Sequence, residues 1–231
     1  MAKKKKDFWN KEYEKAKHLA LSEDHSEDLE KFTRFLIRHH GKKFLNVTSY
    51  VLDVGCGNGR NLIFLAQTFG MRGLGYDLSE VAIKEARENT GDLPLTFKKQ
   101  SLTEDIPTEN GSVTLALDMM ASHVLKKSER EHLRDELVRV LKPGGWLFFK
   151  TFLLDDDKNA AELLAEHPGP EPGMYLHPSI KKPEYVWREA DIYPFFEPFF
   201  TVHKIERSHK HIDKHGRAWK RRTMSVYLEK L

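Results

Sequence analysis

Apolar positions change their period several times along the chain. Trp9, Tyr13, Ala16 and Ala20 recur every three or four residues, the stripe of an amphipathic helix over residues 8–20. Ser26 starts a second helix, with Glu27 and Asp28 in the first turn and Leu29, Phe32, Phe35 and Leu36 as its apolar face. An apolar run then ends at Val54, and Leu62, Leu65, Ala66 and Phe69 form a helical stripe that stops at Gly70. A second strand over 73–77 leads into a helix capped by Ser79 and carrying Val81, Ala82, Ile83 and Ala86. Further strands are predicted over 93–98 and 113–118. Ser128 and Glu131 have the spacing of a capping box before Leu133, Leu137, Val140 and Leu141. Lys142-Pro143-Gly144-Gly145 ends that helix ahead of a strand over 146–152.

Residues 154–183 break the alternation with Asp155-Asp156-Asp157, a short helical stretch and five prolines. An irregular insertion of this kind inside a compact domain is usually functional or mobile. Tyr185 to Ile192 reads as a helix stopping before Pro194. Thr201–Ile212 and Arg222–Leu228 read as two strands joined at His215-Gly216. Alternating strands and helices predict an α/β protein built on a largely parallel sheet.

The most specific segment is residues 50–61, where a strand meets Gly55, Gly57 and Gly59 and passes into a helix. Glycines at a strand end let the backbone approach a ligand closely. Arg60 occupies the place of the last glycine of a dinucleotide fingerprint, and no Gly-Lys-Ser/Thr of a P-loop follows. Asp77, at the end of the second strand, is placed to accept hydrogen bonds from ribose hydroxyls. With Asp53 two residues before Gly55, the pattern D-x-G-x-G-x-G resembles motif I of the class I S-adenosylmethionine-dependent methyltransferases. The turn Leu141-Lys142-Pro143-Gly144-Gly145 is similar to the turn before that family's fifth strand.

The resemblance covers residues 45–231 and implies a Rossmann-like seven-stranded sheet of order 3-2-1-4-5-7-6. Strand 7 is antiparallel, helices cover both faces, and an N-terminal helical lid precedes them. Residues 1–45 are then a tail and lid, and 46–231 the methyltransferase domain with the 154–183 insertion. Carried over residue by residue, S-adenosyl-L-methionine would contact Asp53, Gly55, Cys56, Gly57, Asn58, Gly59 and Asn61, then Asp77 and Leu78. Ser101 and Leu102 would bracket the adenine. Asp118 and Met119 would lie by the methyl group, with Trp9 and Tyr13 closing over it or serving only as a packing stripe. The Asn/Asp-Pro-Pro-Tyr/Phe motif of amino-group methylases is absent after strand four, where Asp118-Met119-Met120-Ala121 stands. The loops look more like the small-molecule branch, similar to tellurite-resistance and thiopurine methyltransferases.

Composition narrows the class. The 231 residues are 39% hydrophobic, enough for one core, and no apolar run reaches the length of a membrane span. Lys3 to Lys6 have no apolar segment behind them, so they read as a solvated, disordered end rather than a secretory signal. The single cysteine, Cys56, fits a reducing cytoplasm and a small residue beside a ligand. The net charge is +3, yet eight Lys or Arg fall between His203 and Arg222 against Glu206 and Asp213. That basic hairpin, with Trp219, would attract an acidic or nucleic-acid partner, or is simply solvated. His209, His211 and His215 are close in sequence but no carboxylate or Cys cluster joins them, and no metal is expected.

The implied reaction is displacement at a sulfonium methyl, for which the protein supplies alignment and water exclusion. His123, in the loop after the fourth strand, is the candidate general base if the acceptor arrives protonated. The alternative is that it packs beside the site where the chain enters a helix. The acceptor is a small molecule, an RNA or a protein side chain. A nucleic-acid-binding module that kept the cofactor fold without turnover is the remaining reading.

Overall fold

The computed structural model describes residues 2–15, 22–209 and 221–231. Helices α1 (Ala2–Glu14) and α2 (Glu27–His40) precede the sheet. Strands β1 (Tyr50–Val54), β2 (Arg72–Asp77) and β3 (Leu95–Lys99) alternate with α3 (Arg60–Phe69) and α4 (Glu80–Thr90). Strand β4 (Val113–Met119) leads through a 3-10 turn at Ser122–Val124 into α5 (Lys127–Val140) and β5 (Leu141–Phe152). Helix α6 (Lys158–Glu166), a hairpin of β6 (Met174–Leu176) and β7 (Pro183–Tyr185), α7 (Glu189–Phe196), β8 (Phe200–Arg207) and β9 (Thr223–Lys230) complete the chain.

Seven strands form one sheet in the order β3-β2-β1-β4-β5-β9-β8. The first five are parallel, and β9 runs antiparallel to both β5 and β8. This is the expected order 3-2-1-4-5-7-6, with β8 and β9 as the sixth and seventh strands of the sheet. The winding reverses between β1 and β4, so their carboxyl ends flank a crevice.

Both faces of the central strands are covered, which is why they read as continuous apolar runs. On one face Leu52, Val54, Ala116 and Phe149 meet Leu133 and Leu137 of α5 and Ile192 and Phe196 of α7. On the other, Val51, Leu115 and Leu117 meet Leu62 and Leu65 of α3 and Ile83 and Ala86 of α4. Helix α2 belongs to this second layer. Its Phe32 is fully buried, with ring centroids 4.9 Å from Phe148 and 4.8 Å from Tyr227. An ion pair of 2.7 Å between Asp28 and Lys150 pins it further. Of the two helices expected as a lid, only α1 lies as a cover; α2 is part of the core.

Other expectations shift locally. Lys3 to Lys6, expected as a disordered end, lie within α1, since lysine is a good helix former. Ala16 and Ala20 lie outside the described residues. Helix α5 starts at Lys127, and the acid closing its first turn is Glu129, which accepts the Lys126 N–H at 2.8 Å, rather than Glu131. The helix expected over 185–192 begins instead at Glu189 and runs through Pro194. Proline's φ is helical, and burial of Ile192 and Phe196 offsets the one missing N–H bond.

The insertion is more ordered than its prolines suggest. The Trp187 N–H donates to the Phe152 carbonyl at 3.0 Å, and the Leu154 N–H to Trp187 at 2.8 Å. The β6–β7 hairpin is thereby tied to the carboxyl end of β5, on the rim where the crevice opens.

Phe32→Ala removes a fully buried ring from the α2–sheet contact and is expected to cost about 3–5 kcal/mol, read by urea unfolding.

Candidate active site

At the end of β1 the backbone turns through Gly55, Gly57 and Gly59 with φ of 71°, 56° and 78°, the left-handed region at every one. The amides of Gly55 and Cys56 donate to the Tyr76 carbonyl at 2.8 and 3.0 Å, locking the turn to the end of β2. A Cβ on Gly55 would strike Ala121, one on Gly57 the Tyr13 hydroxyl, and one on Gly59 the Phe97 ring at 2.7 Å. The glycines are needed by neighbouring protein as well as by backbone conformation.

Asp77 is fixed by the same turn. Its Oδ2 accepts the Gly57 N–H at 3.1 Å and its Oδ1 the Ser79 N–H at 2.8 Å. Each oxygen keeps a further lone pair for a ligand. Asn10 of α1 reaches the start of α4, where its Oδ1 accepts the Glu80 N–H at 2.9 Å and the Ser79 hydroxyl at 3.0 Å. This clamp brings Tyr13 over Gly57. Burial, with Asp77 nearby, holds the Tyr13 phenol protonated well above its ordinary range.

Three carboxylates gather at the strand ends: Asp53 on β1, Asp77 on β2 and Asp118 on β4. Asp53 is 2% exposed, and its Oδ2 has no hydrogen-bond partner among the described residues. Burial foremost, and then Asp77 and Asp118, push its carboxyl up to about 8. Burial also raises Asp77 and Asp118, opposed by hydrogen bonds from Ser79 and Gly57 and from Ser122 respectively. Buried acids without a paired cation are costly, and a positively charged ligand beside them would lower that cost.

On the far side of the crevice, Met120 takes a left-handed conformation with φ of 60°, and the Ser122 N–H donates to Asp118 Oδ1 at 3.1 Å. His123 follows, buried and edge-on to Phe152 with centroids 5.0 Å apart. Its Nε2 lies 3.8 Å from Glu184 Oε1 on β7. Glu184 is buried and accepts hydrogen bonds from Tyr175 and Arg221.

The sequence-predicted residues thus divide. Asp53, Gly55, Gly57, Gly59, Asp77, Asp118 and Tyr13 converge on the crevice, and Leu102 lies 3.9 Å from a Cβ built on Gly55. Leu78 follows Asp77, half-buried. Cys56 is buried, with its thiol 3.6 Å from the Gly57 carbonyl, and burial keeps it protonated. The Asn58 amide instead donates to Ser22 and Glu85, and Asn61 accepts the Ser26 N–H. Both therefore anchor the segment before α2. Ser101 bonds Thr103 within its own turn, Met119 packs against the α2–α4 layer, and Trp9 stacks edge-on Phe8 at 5.0 Å.

Asn10, Tyr175, Glu184 and Arg221 were not legible as site residues. Asn10 sits on the polar side of a helical stripe, and Glu184 lies between prolines and aromatics with no period around it. The basic hairpin is also less free than its composition suggests. Lys204 pairs with Glu206, Arg207 with Glu189 and Arg221 with Glu184, while the buried Arg222 bonds the Ser208 and Asp155 carbonyls. Its other four basic residues, with Trp219, His211, His215 and the expected turn at His215-Gly216, lie outside the described residues. Among the described residues no helix is long and apolar enough to cross a membrane.

Residues 51–145 match the family model described as a methyltransferase domain. An uncharacterized methyltransferase of Synechocystis is 35% identical over 95 residues, 41% of this chain and 43% of that protein. A glycine/sarcosine/dimethylglycine N-methyltransferase of Actinopolyspora halophila is 30% identical over 152 residues, 63% of this chain and 26% of that protein. The chain therefore spans less than half the length of either relative. The fold is similar to that of a methyltransferase from Methanosarcina mazei, with a TM-score of 0.68 at 20% identity over 81% of this chain and 95% of that one. These matches lend no support to the finer likeness to tellurite-resistance or thiopurine enzymes.

The raised Asp53 carboxyl has a signed consequence. It stays protonated in the folded chain where the unfolded chain has already ionised, so folding stability falls as pH rises from about 4 to about 8. The stability of ligand-free Asp53→Asn relative to wild type should therefore improve across that window, measured as the difference in Tm at successive pH values. A flat difference would assign the burden to another group.

Proposed function

We propose that this chain, which matches a methyltransferase-domain model over residues 51–145, is an S-adenosylmethionine-dependent methyltransferase that transfers the cofactor's methyl group to a small-molecule acceptor. The observation that carries this reading is the set of buried acids, Asp53, Asp77 and Asp118, around a left-handed glycine turn. S-adenosylmethionine brings a sulfonium and an ammonium cation, which such a crevice attracts. A dinucleotide brings a pyrophosphate, which it repels.

In this reading Asp77 accepts the ribose hydroxyls and the unpartnered Asp53 Oδ2 faces the amino-acid end. Leu78, Ser101 and Leu102 border the adenine, and Met119 with Asp118 the methyl group. Cys56 is a small residue inside the cradle, and Asn58 and Asn61 hold the cradle from behind. Tyr13, clamped by Asn10, covers Gly57, with Trp9 on the same helix. The donor's own charge activates its methyl group, so the chain's work is to align the nucleophile and exclude water. His123 stands on the acceptor side.

The similarity to an N-methyltransferase named for glycine, sarcosine and dimethylglycine supports a small acceptor. The internal pairing of Lys204, Arg207, Arg221 and Arg222 argues against a nucleic-acid surface at those positions. The single, buried Cys56 accords with a reducing, cytoplasmic setting.

Isothermal titration with S-adenosylhomocysteine tests the cofactor. Binding is expected, and Asp77→Ala should weaken it by about 10-fold or more, because a charged acceptor of two hydrogen bonds is lost. No heat of binding at millimolar ligand would overturn the reading. Transfer of labelled methyl into cell extract fractionated by molecule class should place the label among small molecules.

A further inference from the structure

Three segments distant in sequence meet behind His123. Tyr175 comes from β6, Glu184 from β7, and Arg221 from the two residues that lead into β9. The two oxygens of Glu184 have separate tasks. Oε2 accepts both the Tyr175 hydroxyl and an Arg221 Nη1–H, while Oε1 is left to the imidazole, 3.8 Å from His123 Nε2. Arg221 is held in turn over the Phe152 ring at 3.6 Å, and His123 meets the same ring edge-on. His123 and Glu184 are 7% and 4% exposed, so water does not screen their interaction. The second imidazole nitrogen, Nδ1, is buried with no hydrogen-bond partner among the described residues.

A carboxylate only accepts hydrogen bonds. In a neutral imidazole the proton is favoured on the nitrogen facing Glu184, since a bare lone pair there would oppose a negative charge. In that tautomer Nδ1 keeps its lone pair. Beside Glu184 and Arg221, the charged group that acts on His123 is Asp118, at the end of β4, which is bonded to the Ser122 amide.

We propose that Glu184 is a positioning residue that fixes His123 as the Nε2–H tautomer, so that Nδ1 takes the proton of an acceptor arriving as a hydroxyl or an ammonium group. This rests on the methyltransferase reading above and names its acceptor class. In the step, a hydroxyl oxygen, or an amine nitrogen that has first given its ammonium proton to His123 and so gained a lone pair, forms a bond to the methyl carbon and the carbon–sulfur bond breaks toward sulfur. The acceptor's proton passes to His123 Nδ1, and the resulting imidazolium is stabilised by Glu184. With a hydroxyl acceptor the sulfonium's positive charge is replaced by that of the imidazolium; with an ammonium acceptor the methylated product is again a cation and the imidazolium carries the released proton. The 3.8 Å separation is longer than a hydrogen bond, and the step requires the pair to close by about 1 Å. The β6–β7 hairpin thus acts as the second wall of the active site, and the insertion gains a function that its irregular sequence conceals.

Nitrogen NMR of histidine-labelled protein reads the tautomer directly, without an acceptor. His123 is expected as the neutral Nε2–H form. Glu184→Gln should shift the ratio toward the other tautomer, and Glu184→Asp should restore part of the preference. A dominant Nδ1–H form in wild type, or a ratio indifferent to Glu184→Gln, would overturn the proposal. In labelled transfer to the small-molecule fraction, His123→Ala and Glu184→Gln should each lower the initial rate by about 100-fold or more. Their affinity for S-adenosylhomocysteine should stay at the wild-type value, which also shows that both variants fold. Wild-type rates in either variant would remove the dyad. Failure of the methyltransferase reading itself appears differently, as wild-type protein that does not bind S-adenosylhomocysteine, and the tautomer measurement still decides the role of Glu184.

Discussion

Three left-handed glycines turn β1 into α3, and in doing so they direct the amides of Gly55, Cys56 and Gly57 at the end of β2. Two of these amides bind the Tyr76 carbonyl, and the third binds the Asp77 carboxylate. The position of Asp77, the seat of Tyr13 and the contact between Ala121 and Gly55 all follow from that path. A Cβ at any of the three positions would carry a conformational penalty and would also strike a neighbour, Ala121 or Tyr13 at the crevice and Phe97 in the core. The turn is where local backbone geometry and site architecture are the same constraint.

The turn also assembles an electrostatic problem. It brings the β1 and β2 acids together beside the β4 acid, in a place where water reaches them poorly. Burial, with Asp77 and Asp118 nearby, raises the Asp53 carboxyl to about 8, so this acid holds a proton at neutral pH. A cationic ligand, as proposed above, would lower that carboxyl again and link its binding to release of the proton.

Across the crevice the organising principle changes from backbone to side chains. The β6–β7 hairpin is bonded to the end of β5 through Trp187, and that docking delivers Glu184 to His123. Arg221 reaches the same carboxylate from the start of β9. Arg221 and Arg222, two of the charges that look like a basic surface in the sequence, are used inside the fold at this point.

Much of this was legible in the chain itself. Asp53, the glycine spacing, Asp77 and the Ser79 cap announce strand, turn, strand and helix through local rules, because left-handed φ values, capping bonds and apolar periods depend on near neighbours. Alternation of elements implied a largely parallel α/β sheet, and the strand order came from the family resemblance alone. Helix boundaries were less secure: Glu129, not Glu131, closes α5, and Pro194 is tolerated inside α7 because tertiary burial outweighs a lost bond. The sequence by itself determined the glycine turn and Asp77 at the ends of β1 and β2, where backbone conformation and capping depend on near neighbours. Only the tertiary structure decided that α2 is core, that α1 is a cover clamped through Asn10, and that Tyr175, Glu184 and Arg221 meet behind His123. Those contacts join residues tens of positions apart, through packing that no local period encodes.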